Sequence, residues 1–325
     1  MPDATPAIAF DHAVKTYPGG DHAVNDVSLE IASGTFAVLV GPSGSGKTTL
    51  LKTVNRLYDL TAGRVLVDGV DVTSVDPVPL RRGIGYVIQQ VGLFAHMTVA
   101  DNIAVVPSLL HWDRARIAAR VDELLALVHL EPQQYRSRYP AQLSGGQQQR
   151  VGLARALAAD PKILLMDEPF GALDAIERER LQAELAALHA RLHKTVLFVT
   201  HDVDEALRLA DVLVVMRGGR IEQAGTPLEI ITGPANVFVA ALLNADDVMR
   251  RFSVMKVSAA MSAAGSSTPA SGHRIGVDRD LRTALSLMMQ AGVESLLVVD
   301  ARGSPLGSLT LADIRRAARP ATAKA

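Results

Sequence analysis

The sequence predicts an α/β fold: a largely parallel sheet interrupted by a helical insertion and followed by a small α+β unit. Three observations predict it. Short apolar runs at 36–40, 163–166, 196–200 and 212–216 have the unbroken hydrophobicity of strands buried on both faces. Segments of helical period lie between them, at 174–192 and 203–209. A glycine-rich loop, Gly41-Pro42-Ser43-Gly44-Ser45-Gly46-Lys47-Thr48, follows the first run directly.

The elements follow in order. Residues 8–15, 23–31 and 36–40 read as strands separated by turns such as Pro18-Gly19-Gly20-Asp21. Residues 47–56 read as a helix, so the glycine loop has the strand–loop–helix context that a phosphate-binding loop requires. Asp68-Gly69 marks a tight turn between strands 64–67 and 70–73, and 84–89 reads as another strand. From about 91 to 158 the pattern is helical, most clearly at 114–128. Residues 234–247 read as a tether, and 262–273, rich in Ser, Ala and Gly, as a flexible loop. An amphipathic helix at 281–291, strands at 296–299 and 306–309, a turn at 300–305 and a helix from 311 make up the small unit. The expected division is a core over 1–240 with a helical subdomain at about 91–158, a linker at 241–252, the α+β unit at 253–318 and a tail at 319–325.

Composition narrows the function. With 325 residues, 48% apolar and 21% charged, the chain has enough material for a large core and a smaller domain, and little case for disorder. A formal net charge of −1 argues against nucleic acid as a partner. From residue 245 onward Lys and Arg outnumber Asp and Glu by about four, a surplus able to respond to anionic lipid or ionic strength, though a solvated surface is the simpler explanation. The absence of cysteine excludes disulfides and thiolate-bound metal and suits a reducing compartment. The first ten residues lack the charged and apolar regions of a secretory signal. The apolar runs fall far short of the ~20 residues a membrane-spanning helix needs, so a solute path would have to come from another chain.

Several residues carry chemistry. Backbone N–H groups of the loop from Gly41 to Thr48, with Thr49 beyond it, can wrap phosphates, and Lys47 can reach the outer ones. A charge pair at ~4 Å in an effective dielectric near 20 is worth roughly 4 kcal/mol before desolvation. The Thr48 hydroxyl suits Mg²⁺. The strand at 163–166 ends in Asp167-Glu168, a pair able to hold Mg²⁺ and to polarise an attacking water. Leu143-Ser144-Gly145-Gly146-Gln147 opens a helix, with Ser144 as N-cap and two glycines baring N–H groups; it is an anion site without a lysine.

These motifs closely resemble the ATP-binding cassette (ABC) family, whose signature is Leu143 to Gln147. The resemblance implies further roles. Tyr17 would stack on adenine, Gln89 would sense the γ-phosphate and Mg²⁺ (with Gln90 an adjacent rival), His201 would contact the γ-phosphate, and Asp174 would touch the opposite subunit. The six elements occur in the family's order over residues 17–201. Residues 91–99, with Phe94 and Met97, would form a groove for a helix of a membrane subunit, although the family's usual proline is Ala95 here. Residues 253–318 resemble a cystathionine-β-synthase (CBS) motif ending in Gly307-Ser308-Leu309-Thr310-Leu311-Ala312-Asp313. There Thr310 and Asp313 would contact an adenine nucleotide, or the unit would serve dimerisation without a ligand.

A core of this type with a CBS unit resembles the ATPase subunits of bacterial importers for glycine betaine, choline, carnitine and proline betaine. What that implies is a head-to-tail homodimer burying ATP and Mg²⁺ between one chain's 41–48 loop and the other's 143–147 turn. It would be bound to integral membrane permease subunits at the cytoplasmic face of the inner membrane and served by a substrate-binding protein. An importer ATPase for an amino acid or polyamine, or a soluble ABC ATPase of DNA repair or ribosomes, are the alternatives.

Overall fold

The computed structural model describes residues 5–89, 92–263 and 272–318. The chain divides into two compact units, the first ending at Glu222 and the second beginning at Gln223. The expectations for Gln90, Val91, the centre of the 262–273 loop and the 319–325 tail lie outside the described residues.

In the first unit, β1 (Ile8–Thr16), β2 (His22–Ile31), β4 (Ala62–Val67) and β5 (Val70–Asp71) form a sheet in the order β2-β1-β4-β5, whose pairs are antiparallel. The second strand of the 68–69 hairpin is shorter than the sequence suggests. Asp71 accepts a hydrogen bond from Thr73 N at 2.8 Å and turns the chain into a 3₁₀ segment.

The larger sheet contains β3 (Phe36–Val40), β6 (Ile84–Ile88), β7 (Ile163–Asp167), β8 (Thr195–Thr200), β9 (Val212–Arg217) and β10 (Arg220–Gly225), in the order β10-β9-β3-β8-β7-β6. The pairs β3–β8, β3–β9, β6–β7 and β7–β8 are parallel. Every residue of β3, β7 and β8 is buried, as their unbroken apolar runs require. Helix α1 (Lys47–Val54) contributes Leu50, Leu51 and Val54 to one core with Ile8, Phe10 and Val65 of the antiparallel sheet and Leu39, Leu165 and Leu197 of the parallel one. α1 stops two residues before the predicted end because Arg56 has φ 52°. After α2 (Pro77–Arg82), the insertion holds α3 (Val99–Leu109), α4 (Arg114–Leu127), α5 (Pro132–Tyr135) and α6 (Gly145–Leu157). Helices α7 (Ala175–Leu192) and α8 (Val203–Leu209) connect the strands that follow.

The second unit corrects the linker. Residues 241–252 carry the end of α10 (Val237–Leu243) and the start of α11 (Val248–Val254), after α9 (Pro227–Thr232). Asn236 and Asp247 accept hydrogen bonds from Val239 N at 3.0 Å and Met249 N at 2.8 Å, starting two helices where the sequence reading saw a tether. Leu243, Ala245 and Phe252 are buried, so this segment is packed structure, and the boundary falls at 222/223, not near 240. β11 (Ser262–Ala263), β12 (Arg274–Gly276), β13 (Ser295–Val299) and β14 (Pro305–Thr310) make a sheet ordered β11-β14-β13-β12. Helices α12 (Leu281–Ala291) and α13 (Leu311–Ala318) pack Met288 and Ile314 into a core with Phe252, Leu296, Val298 and Leu309. The three-residue β12 escaped the sequence reading because it is too short to show a period.

Candidate active site

The parallel order puts the C-terminal ends of β3, β8, β7 and β6 side by side, and the chemistry-bearing residues follow those ends. After β3, the glycine loop is set by backbone contacts as much as by any ligand. A Cβ on Gly41 would lie 2.2 Å from Met216 O, and one on Gly46, which has φ 99°, would lie 2.1 Å from Ala23 O. Lys47 is buried and folds onto this loop, its Nζ donating to Gly41 O at 2.8 Å, Pro42 O at 3.0 Å and Ser45 Oγ at 3.3 Å. Burial pulls its pKa below the ordinary lysine value, against the pull of the Glu168 and Asp167 carboxylates.

Thr48 Oγ1 donates to Asp167 Oδ1 at 2.7 Å, joining residues that stand 119 apart in the chain. A hydroxyl and a carboxylate so placed are hard oxygen ligands of the kind Mg²⁺ prefers, so these two residues fit such an ion. Glu168 sits at φ 46°, a left-handed conformation that costs a non-glycine residue about 1–2 kcal/mol and is held by Glu168 N donating to Val199 O at 3.0 Å. Its Oε2 lies 3.0 Å from His201 Nδ1 and 3.5 Å from Gln89 Nε2. The ends of β6, β7 and β8 thus bring Gln89, Glu168 and His201 together.

Ser144 caps α6 reciprocally: Gln147 N donates to Ser144 Oγ at 3.3 Å and Ser144 N to Gln147 Oε1 at 3.0 Å. Leu143 is buried. A Cβ on Gly145 would meet Leu173, and one on Gly146 would stand 3.0 Å from Glu177 Oε2. Gln147 Nε2 donates to Tyr135 Oη at 3.1 Å and Leu143 N to Pro140 O at 3.1 Å, so the turn is held by its own subdomain, while the partners of Lys47 lie in its own loop. Asp174 caps α7 by accepting from Ile176 N at 3.1 Å and Glu177 N at 3.0 Å.

Residues 24–171 match the family model for the ABC transporter and 274–320 that for the CBS domain. The glycine betaine/carnitine/choline transport ATP-binding protein OpuCA of Bacillus subtilis is 48% identical over 294 residues, 90% of this chain and 75% of the relative. The glycine betaine uptake system ATP-binding protein YehX of Escherichia coli is 48% identical over 307 residues, covering 94% of this chain and 98% of that protein. The chain belongs to the ABC transporter ATP-binding family. Among solved structures, the dimeric post-hydrolysis form of the ATP-binding cassette MJ0796 bound to ADP and Pi matches at TM-score 0.61 and 34% identity, covering 68% of this chain and 98% of the other.

In this ABC protein Tyr17 is part-exposed, meets Tyr58 edge-on at 6.1 Å between centroids and has Lys15 Nζ 5.6 Å from its ring. The sequence reading missed Lys52, whose Nζ is 3.6 Å from Asp167 Oδ2. Its signal was present, since Thr48 and Lys52 stand four apart on one face of α1. It also missed Gln149, whose Nε2 donates to Pro169 O, and a polar cluster of Arg178, Gln182, Asp202 and Glu205. In the second unit Thr310 and Asp313 cap α13 reciprocally: Thr310 Oγ1 donates to Asp313 Oδ2 at 2.7 Å and Asp313 N to Thr310 Oγ1 at 3.1 Å, with Arg316 3.2 Å from Asp313. A ligand there would have to share these atoms.

Glu205 is buried, and desolvation, aided by the Asp202 charge, raises its pKa above the ordinary glutamate value against hydrogen bonds from Thr200 and Gln182 and the charge of Arg178. Folding therefore favours its neutral form. Its contribution is complete below the unfolded pKa and is lost as pH rises through the folded one. Glu205→Gln, which mimics the neutral acid, should flatten the fall of Tm with rising pH across that interval; a fall as steep as in the parent would contradict this reading.

Proposed function

We propose that this chain is the ATP-hydrolysing subunit of a bacterial ABC importer for quaternary-amine osmoprotectants such as glycine betaine, choline, carnitine and proline betaine. The observation that carries the solute class is the reach of the similarity. The sulfate/thiosulfate import ATP-binding protein CysA of Nocardia farcinica is 51% identical, but over only 75% of this chain, whereas the osmoprotectant relatives match over 90% and 94%. An ATPase core serves many solutes; the extra similarity includes the C-terminal unit.

The mechanism uses two copies head to tail, isologous about a two-fold axis. The 41–48 loop of one chain holds ATP against Tyr17, and the α6 N-terminus of the other, with its bared N–H groups, closes on the γ-phosphate. Thr48 and Asp167 would hold Mg²⁺, with Gln89 at the same edge, and the charge of the phosphates would be offset there. Lys47 leaves its loop carbonyls for the outer phosphates. Glu168 takes a proton from the attacking water, and His201 holds both Glu168 and the γ-phosphate in line. The permease helix docks in a groove of about 350 Å³ lined by Arg81, Tyr86, Phe94, Val105, Val106 and Arg155. Phe94 is in that lining; Met97 is not, its carbonyl being taken by Asn102 Nδ2 at 3.2 Å. The dimer would sit at the cytoplasmic face of the inner membrane through these permease subunits, with a substrate-binding protein delivering solute. The second unit of each chain could pair with that of the other, with or without an adenine nucleotide.

Uptake assays on the complex reconstituted with its permease and binding protein test this reading. ATP-dependent uptake of a labelled quaternary amine is expected, and uptake confined to sulfate, amino acids or polyamines would refute the solute class.

A further inference from the structure

A cavity of about 20 Å³ adjoins Glu168 and His201, and its other polar lining comes from Arg178, Thr200, Asp202 and Glu205. That is room for about one water, which needs two to four polar partners. Arg178 supplies a pointed reason for one. Its Nε is buried without a hydrogen-bond partner, while Nη2 donates to Leu173 O at 2.9 Å and Nη1 stands 3.9 Å from Asp202 Oδ2. A buried donor of this kind is normally satisfied, by water where protein offers nothing.

The same residues join two parts of the site. From α7, Gln182 Nε2 donates to Glu205 Oε1 at 3.0 Å, and Arg178 reaches Asp202. Asp202 in turn caps α8, accepting from Asp204 N at 2.9 Å and Glu205 N at 3.1 Å, while Asp202 N donates to Thr200 Oγ1 at 3.0 Å. These bonds bracket His201. The histidine side chain is 62% exposed, so its orientation toward Glu168 depends on the turn that carries it and not on packing around the ring.

We propose that Arg178 and Glu205 hold one water in this cavity and act as positioning residues that tie the loop before Asp174 to the His201–Glu168 pair. The inference rests on the two-chain site proposed above, because pressure from a second copy on that loop is what the link transmits. Arg178 grips the loop at the Leu173 carbonyl and the histidine turn at Asp202, so a shift of the first carries to the second without passing through solvent. Glu205, seated between Gln182 and Thr200, fixes the far wall of the cavity. Neither residue touches nucleotide in this reading.

Full-length Arg178→Met and Glu205→Ala, compared with the conservative Glu205→Gln, provide the test. The first two should lower kcat about a hundredfold, the scale of a misplacement near 1 Å, while KM for ATP stays within about twofold. Glu205→Gln keeps an acceptor oxygen for Gln182 and offers the water an N–H donor in place of the second oxygen, and should recover kcat to within about fivefold of the parent. A high-resolution crystal structure should show one water on Arg178 Nε, lost in Arg178→Met. An unchanged kcat in Arg178→Met, Arg178 Nε bonded to protein with no water in the cavity, or KM rising together with the fall in kcat would each overturn the proposal. ATP-dependent dimerisation, followed by light scattering in the Glu168→Gln background, separates the two ideas. A Glu168→Gln protein that stays monomeric with ATP counts against the two-chain site, and the kcat split and the water still decide the network.

Discussion

Glu168→Gln is expected to convert the protein into a dimer that traps ATP and hardly turns it over, with kcat lowered by about 10²–10⁴-fold, the usual worth of a positioned general base. The amide keeps the shape of the side chain and loses the basic oxygen that now faces His201 Nδ1 at 3.0 Å. One further effect favours trapping. Removing a negative charge near the phosphates strengthens nucleotide binding. Size-exclusion chromatography with light scattering, with and without ATP, together with steady-state phosphate release, checks both halves of the expectation. Near-normal hydrolysis would remove Glu168 from its role; loss of turnover without an ATP-stabilised dimer would place the fault in folding or binding.

Lesions in the two loops should behave differently on one chain and on opposite chains, and this contrast is the second large effect. Lys47→Ala disables the phosphate loop and Ser144→Arg the signature turn. Place both changes on one chain and pair it with an unmodified chain: each of the two sites then contains one damaged loop. Place one change on each chain, and both lesions fall into the same site, leaving the other intact. In the Glu168→Gln background the second heterodimer should occlude about one ATP and the first none. Ser144→Arg also removes the cap of α6, which costs about 1 kcal/mol and is small against the ~5–15 kcal/mol of a typical domain. Its Tm must therefore be measured alongside. The reverse pattern, one ATP occluded when both lesions share a chain and none when they are split, would mean that each chain completes its own site.

Much of this site was legible because its parts are local. The glycine loop announces itself by spacing, and the structure adds that Gly41 and Gly46 are also required by Met216 O and Ala23 O. Ser144 and Gln147 stand three apart, the separation a capping box requires, and both their bonds form. The linker reading failed for an equally local reason. Asn236 and Asp247 are helix caps as readily as loop residues, and only the burial of Leu243 and Phe252 shows which they are. Arg178 and Glu205 carry no signal of their own, since one arginine and one glutamate on helices 27 positions apart look like any solvated pair until α7 and α8 are brought to one cavity.

By itself the sequence determined most of the strands and helices of the phosphate-loop core, the chemistry of the phosphate loop and signature turn, and membership of a nucleotide-binding family. Those properties reside in periodicity and in backbone freedom, which a few consecutive residues express. Tertiary structure alone decided which distant residues meet: Thr48 with Asp167, Glu168 with His201, and Arg178 with Asp202. The reason is that strand order is set by how buried faces pack. The order β3-β8-β7-β6 aligns the strand ends that carry these groups, and no local pattern along the chain encodes that order.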